Sequence, residues 1–387
     1  IALVRPVPAR FIWAGLGAAS VAFHIWLIFS GLVPNLISRP LHMALALPWV
    51  FVFLARSRAS RTTGAIFLVM GIATCFYIAW NQNVLSDQYG SLEGPGQLWL
   101  AIGLISIVLE MARRAIGWPL PVIASLALVY GLFGNLLPGE FGHPGLPVES
   151  FLGTMVVAEG GLWGSLTGVS VNIVAVFVIM GAVLNAGEAG QGFMNLAMAA
   201  AGRLKGGAAK VSLLSSALFG SISGSASANV ASTGAVTLPT MTRLGYPGRL
   251  AGAVEAVASS GGQIMPPLMG AGAFVMVELT GVPYTQIMAA ALLPAILYFL
   301  TVWMGINAYA GRYDLKPLTQ EQQPSPRRVL VTAAFFAIPF LVLLERMFFG
   351  GFTPQYAAAS AIVAGLFLLL FDSRFTLNLA RTIAVSY

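Results

Sequence analysis

Apolar runs and short polar loops alternate along the chain. A helix needs roughly 17 to 25 mostly apolar residues to cross the hydrocarbon core of a bilayer. Runs of that kind, some a little shorter, fall at 11–29, 41–55, 64–80, 98–111, 119–136, 166–186, 286–310, 329–344 and 356–371. The pattern predicts an all-α polytopic membrane protein with about nine spanning helices. The first run is too long for a signal-peptide core and lacks a small-residue cleavage site, so it reads as a retained helix.

The basic residues give an orientation. Arg5 and Arg10 precede the first run, Arg56, Arg58 and Arg61 follow the second, and Arg113 and Arg114 follow the fourth, whereas 81–97 and 135–164 contain no Lys or Arg. The positive-inside rule then predicts a cytoplasmic N-terminus, with Arg39 as the one conflict. Loop 187–210 carries Arg203, Lys205 and Lys210, and the loop after 211–239 carries Arg243 and Arg249. Both read as cytoplasmic, as do 311–328 and 372–381. A single crossing between the first two loops would break the rule, so 211–240 is expected to enter and leave by one face as a re-entrant hairpin. Within 250–279, Ser259-Ser-Gly-Gly-Gln-Ile-Met-Pro-Pro267 predicts a broken helix, because Pro lacks an N–H and paired Gly frees the backbone. The stretch 191–203 reads as an interfacial or linker helix.

Composition strengthens the membrane reading. Hydrophobic residues make up 58% of the 387 residues and charged ones 9%. The net charge of +7 sits mostly in short loops, not on one soluble face, so nucleic acid is not an expected partner. Cys75 is the only cysteine and reads as a core thiol. His24, His42 and His143 lack metal-ligand spacing. There is no Walker A motif, nucleophile elbow or zinc motif, so neither an ATP engine nor an enzyme is expected.

The candidate chemistry lies in the two breaks. Gly220-Ser-Ile-Ser-Gly-Ser-Ala-Ser-Ala-Asn229 supplies the hydroxyls of Ser221, Ser223, Ser225 and Ser227, a turn at Gly224 and the side-chain carbonyl of Asn229. The second break supplies Ser259, Ser260, the carbonyls around Gly261 and Gly262, and Gln263. Hydroxyls and carbonyls are hard oxygen donors that suit a bare alkali cation. Irregular backbone at membrane depth survives only against protein or a wet cavity, and secondary transporters place ion and substrate sites at such breaks. The bland reading of the same small residues is close helix packing. Glu255 lies deep in an apolar stretch, where it either pairs with Arg243 or Arg249 or serves coupling. Glu278 and Glu188 read as solvated.

These residues, with Leu244-Gly-Tyr-Pro247, Gly252-Ala-Val-Glu-Ala256 and Gly261-Gly-Gln-Ile-Met-Pro-Pro-Leu-Met-Gly270, resemble the large permease subunit of TRAP transporters. The likeness is closest to fused permeases paired with TAXI-type binding proteins. It implies a bacterial inner-membrane permease importing small organic anions, such as carboxylates or amino acids, with Na⁺ as coupling ion and no other cofactor. A periplasmic TAXI-type binding protein would deliver the substrate. On the same likeness Ser223, Gly224, Ser225, Ser227 and Asn229 belong to the hairpin site, and Ser260, Gly261, Gly262, Gln263 and Pro266 to the broken-helix site. Residues 1–140 would correspond to the small subunit, 141–328 to the first half of an inverted-repeat core, and 329–387 to the start of an incomplete second repeat. Ile1 in place of Met suggests residues before it, and the lack of a second Ser/Gly-rich tip past Val329, with an end at Tyr387 soon after a span, reads as the N-terminal portion of a longer permease. Two other readings stay open: a different ion-coupled anion carrier with re-entrant hairpins, and a non-transporting membrane scaffold.

Overall fold

The computed structural model describes residues 7–55 and 57–371. Arg5, Arg56, the loop 372–381 and the last part of the expected second repeat lie outside the described residues. The described chain is helical, contains no β-strand, and divides into two compact units between Asn172 and Ile173.

The first unit contains α1 (Val7–Phe29), α2 (Asn35–Pro48), α3 (Arg58–Trp80), α4 (Gln82–Asp87), α5 (Gly94–Ile116), α6 (Pro119–Phe133), α7 (Val148–Val156) and α8 (Ser165–Val169). A π-helical turn, Trp49–Phe53, extends α2, so the second expected span is longer at its start than the apolar run suggested. The outer faces of α1 and α6 are themselves apolar. Phe11, Ile12, Leu120, Ile123 and Leu126 are all more than half exposed, which suits hydrocarbon and not water. The core is built from Leu36, Leu47, Phe51, Cys75, Ile78, Leu104, Ile107 and Trp163.

Polar residues in this unit are tied down. Arg39, the exception to the charge rule, is no free loop charge: it is half-buried on α2 and donates to the carbonyl of Trp163. His24 and His42 share a 2.8 Å hydrogen bond, and His42 reaches Ser170 Oγ at 3.2 Å. No group of three or more His, Cys, Asp or Glu suited to a metal occurs among the described residues. At the end of α5, Glu110 accepts from Arg113 at 2.6 and 2.7 Å and from Arg114 Nε at 2.7 Å. Arg114 also donates to Ser60 O at 2.9 Å and Thr63 Oγ1 at 3.0 Å, and its guanidinium lies 5.0 Å over the Phe51 ring. One cation thus joins α3, α5 and the π turn.

The second unit contains α9 (Ala175–Ala186), α10 (Ala189–Ala201), α11 (Gly207–Ser223), α12 (Ala226–Arg243), α13 (Gly248–Gly261), α14 (Ala271–Thr280), α15 (Tyr284–Arg312), α16 (Pro326–Phe348) and α17 (Pro354–Leu369). The expected interfacial helix at 191–203 is instead a packed one. Phe193, Met194, Asn195, Ala197 and Ala201 of α10 are buried, and Asn195 Nδ2 donates to Thr332 Oγ1 of α16 at 3.0 Å. Its high alanine content serves close packing against α11 and α16. Lys210, counted as a loop charge from sequence, lies buried in the first turn of α11 with its ammonium 4.8 Å over the Trp303 ring. Eight helical segments among the described residues are long and apolar enough to cross a membrane, and the ninth expected span is α17, of 16 residues.

Removing the Arg114 side chain takes donors from three places at once, each worth about 1–3 kcal/mol when left unmet in a buried setting. Arg114→Ala should lower the melting temperature of the purified full-length permease in detergent by several degrees. Arg58→Ala, an exposed change in the first turn of α3, should leave it in place.

Candidate ion and substrate site

The serine- and glycine-rich stretch folds as a helical hairpin of α11 and α12. Gly224 ends α11 with φ +60°, a left-handed conformation that side chains with a Cβ rarely adopt, and its N–H donates to Gly220 O at 3.0 Å. Ser225 begins α12 as an N-cap: its hydroxyl accepts from Ala228 N at 3.4 Å. The second anomaly is also a break. Helix α13 ends at Gly261, the chain runs without regular helix through Pro266 and Pro267, and α14 resumes at Ala271.

Side chains four apart share one face of a helix, and three such stripes meet here. Helix α11 contributes Ser212, Ser216 and Gly220. Helix α12 contributes Thr237, Thr233 and Asn229. Helix α13 contributes Glu255 and Ser259, followed by Gly262. At the first level Glu255, 1% exposed, accepts hydroxyls on both carboxylate oxygens. Ser212 Oγ donates to Oε2 at 2.7 Å and Thr237 donates to the same oxygen. Thr233 Oγ1 lies 2.5 Å and Ser259 Oγ 3.3 Å from Oε1. Neither Arg243 nor Arg249 is a partner of Glu255 among the described contacts, so the anticipated ion pair does not form. A buried carboxylate needs either a cation or a full set of donors, and here hydroxyls take that part.

At the second level Ser216 Oγ lies 3.2 Å from Thr233 Oγ1 and 3.4 Å from Ser259 Oγ. The Asn229 Nδ2 donates to Ser216 O at 2.8 Å and Ser259 O at 3.4 Å, so its amide nitrogen sews hairpin to broken helix. Asn229 was expected to offer a carbonyl to a cation; it is fully buried and its nitrogen carries the close contacts. At the third level side chains vanish and backbones touch. A Cβ on Gly220 would lie 2.3 Å from Gly262 Cα, and one on Gly224 only 1.9 Å from Met269 O. Leu268 N donates to Ser221 O at 3.2 Å, and the Tyr284 hydroxyl reaches the carbonyls of Pro267 and, at 2.8 Å, Leu268.

The expected site residues separate accordingly. Ser223, Gly224 and Ser225 sit at the turn, and Ser223 Oγ is buried without a hydrogen-bond partner among the described residues. Ser225 and Ser227 hydroxyls lie 3.3 Å apart, with Ser227 exposed. Gly261 and Gly262 are buried at the break, and Pro266 is half-buried in the loop that faces the turn. Ser260 points away: it is exposed, and its hydroxyl returns to Ala256 O at 2.8 Å. A cleft of about 1040 Å³ opens beside the turn, lined by Gly224, Ser225, Gln263, Gly270 and Gln286 among many apolar residues. Ser225 and Gly270, which begin α12 and α14, both face it, so two helix N-termini with their partial positive charge do too. Ser212, Ser216, Thr233, Thr237 and Tyr284 do not stand out as site residues in the sequence. The four-residue spacing of the hydroxyls was the available signal for the first four; Tyr284 had none.

A multi-pass membrane protein with a helical hairpin sewn to a broken helix beside a cleft has the build of a transport permease. The comparison with known families agrees: residues 104–386 match the family described as Tripartite ATP-independent periplasmic transporter, DctM component, and the chain belongs to it. The match begins inside α5. Curated relatives include the C4-dicarboxylate TRAP transporter large permease protein DctM of Pseudomonas aeruginosa, 30% identical over 51% of this chain and 46% of that protein. The isethionate TRAP transporter permease protein DctMQ of Oleidesulfovibrio alaskensis is 26% identical over 76% of this chain and 47% of its own length. The ectoine/5-hydroxyectoine TRAP transporter large permease protein UehC of Ruegeria pomeroyi is 25% identical over 64% and 58%. The chain spans about half the length of the first two of these relatives.

The backbone contact between Gly220 and Gly262 gives a paired test. Overpacking a tight contact costs about 1–3 kcal/mol or more. Gly220→Val should lower the thermal midpoint of the full-length permease in detergent or prevent its recovery. Gly252→Val, on an open face of α13, should do neither.

Proposed function

We propose that the chain is the N-terminal portion of a fused TRAP permease of the bacterial inner membrane. It carries one half of a site that couples Na⁺ entry to uptake of a small organic anion, a carboxylate or an amino acid. The observation that carries the cation reading is Ser223 Oγ: a buried hydroxyl with no hydrogen-bond partner among the described residues, beside a turn whose backbone lies against the Met269 carbonyl. Buried polar atoms are normally satisfied, so an orphan at a break in membrane-depth backbone fits an oxygen ligand for a cation. In this reading Ser223, Gly224 and Ser225 form the hairpin side, and Gly261, Gly262, Gln263 and the Pro266 loop the facing side. Asn229 and Glu255 act behind them.

The cleft supports the substrate half. No Lys or Arg among the described residues lines it. An anionic group would therefore meet helix N-termini and the Gln263 and Gln286 amides, which hold a carboxylate by hydrogen bonds and dipoles. The relatives named for C4-dicarboxylates and isethionate act on small anions of this kind. A TAXI-type periplasmic binding protein would deliver the substrate to the outer face. The N-terminus lies in the cytoplasm, and the hairpin enters and leaves the membrane by that side. The helices before the family match, within residues 1–140, correspond to the small subunit.

Full-length permease in proteoliposomes should take up a labelled organic anion only with its binding protein and an inward Na⁺ gradient, a K⁺ gradient serving as control. Ser223→Ala should raise the Na⁺ concentration for half-maximal uptake about tenfold, the scale of one lost ion ligand, or about 1.4 kcal/mol. An unchanged Na⁺ dependence in this variant would remove Ser223 from the site.

A further inference from the structure

We propose that Glu255 is a positioning residue: its hydroxyl-caged carboxylate fixes the hairpin against the broken helix and thereby holds the cation-facing turn in shape. The inference rests on the reading of that turn as the transport site. Three observations lead to it. First, the carboxylate is 1% exposed and has four hydroxyl partners drawn from all three helices: Ser212 on α11, Thr233 and Thr237 on α12, and Ser259 on its own α13. Sliding or tilting any one helix strips a donor from a buried charge, which is among the largest penalties a folded protein meets. Second, the polar chain is continuous toward the turn. It runs from Glu255 through Ser259 and Ser216 to the Asn229 amide, each contact being 3.4 Å or less. Third, the next level has no adjustable part. Gly220 meets Gly262 and Gly224 meets Met269 as bare backbone, so the spacing there is inherited from the levels below.

Packing alone would not need a charge. A Leu or Met at 255 could fill the space between small residues, whereas an acid demands one arrangement of three helices. Glu255 is also far enough from the turn along α13 to touch none of Ser223, Gly224 or Ser225. It therefore acts on the cation only through the intervening residues.

The probe is Thr237→Val, which deletes one hydroxyl at the end of the seam remote from the turn and preserves side-chain shape. Glu255→Gln is the stronger companion, and Thr237→Ser restores the hydroxyl. Hydrogen exchange is read on full-length permease in detergent, with and without Na⁺, together with Na⁺ titration of uptake in proteoliposomes. In Thr237→Val and Glu255→Gln, amides of 219–224 and 262–270 should exchange about tenfold faster, the scale of one charge-assisted hydrogen bond, while α16 and α17 stay unchanged. The half-saturating Na⁺ concentration should rise by a similar factor with the maximal rate retained, and Thr237→Ser should behave as wild type. Unchanged exchange at the turn, or uniformly faster exchange throughout the second unit with unaltered Na⁺ half-saturation, overturns the positioning role. Wild-type uptake indifferent to Na⁺, alongside faster exchange at the turn in the variants, keeps the positioning role and refutes the sodium reading instead.

Discussion

A buried carboxyl group held by hydroxyls organises the second unit. Glu255 is 1% exposed, no cationic side chain among the described residues pairs with it, and four hydroxyls supply its polar contacts. Each hydroxyl belongs to a different turn of α11, α12 or α13, so satisfying one carboxylate sets the register of three helices together. In hydrocarbon the hydrophobic effect gives little drive for one helix to seek another. A polar centre with directional partners therefore carries more of the specificity than it would in a soluble core.

Above that centre the seam narrows from carboxylate to hydroxyl to bare backbone. The order has a physical sense. Long polar side chains can reach across a gap and tolerate small shifts, while glycine contacts cannot. Placing the adjustable level away from the turn and the rigid level at it delivers a fixed backbone geometry to the turn, where the Ser223 hydroxyl is buried and Gly224 and Ser225 line the cleft. Tyr284 closes the same loop from outside, holding the Pro267 and Leu268 carbonyls from the start of α15.

The first unit solves the same problem with a cation. Arg114 gathers Glu110, backbone oxygens and Thr63 around the π turn that extends α2, and its charge is shared with Arg113 through one carboxylate. Arg39 and Lys210 show the same economy. Both looked like loop charges in the sequence, and both are packed, one on a carbonyl and the other on an indole face. They do not count toward orientation, which rests on the loop arginines.

The helices and the two breaks were legible in the sequence because each is local. A long apolar run can bury its backbone polar groups only as helix, and Gly224, paired Gly261-Gly262 and Pro266-Pro267 interrupt helices wherever they stand. The turn residues Ser223, Gly224 and Ser225 followed from the same logic. The contacts that Asn229, Glu255 and Ser260 make did not. Which end of an amide meets a neighbour, whether an acid finds an arginine or a set of hydroxyls, and whether a serine faces a cleft or its own helix depend on what other segments bring within 3 Å. The packing of α10 was hidden for a related reason: a short helix shows its burial only when α11 and α16 are placed against it. Sequence by itself determined where the backbone must be helical and where it must break, since those are properties of consecutive residues. Only the tertiary structure decided which stripes meet, because Ser212, Thr237 and Glu255 become neighbours through folding and not through their spacing along any one helix.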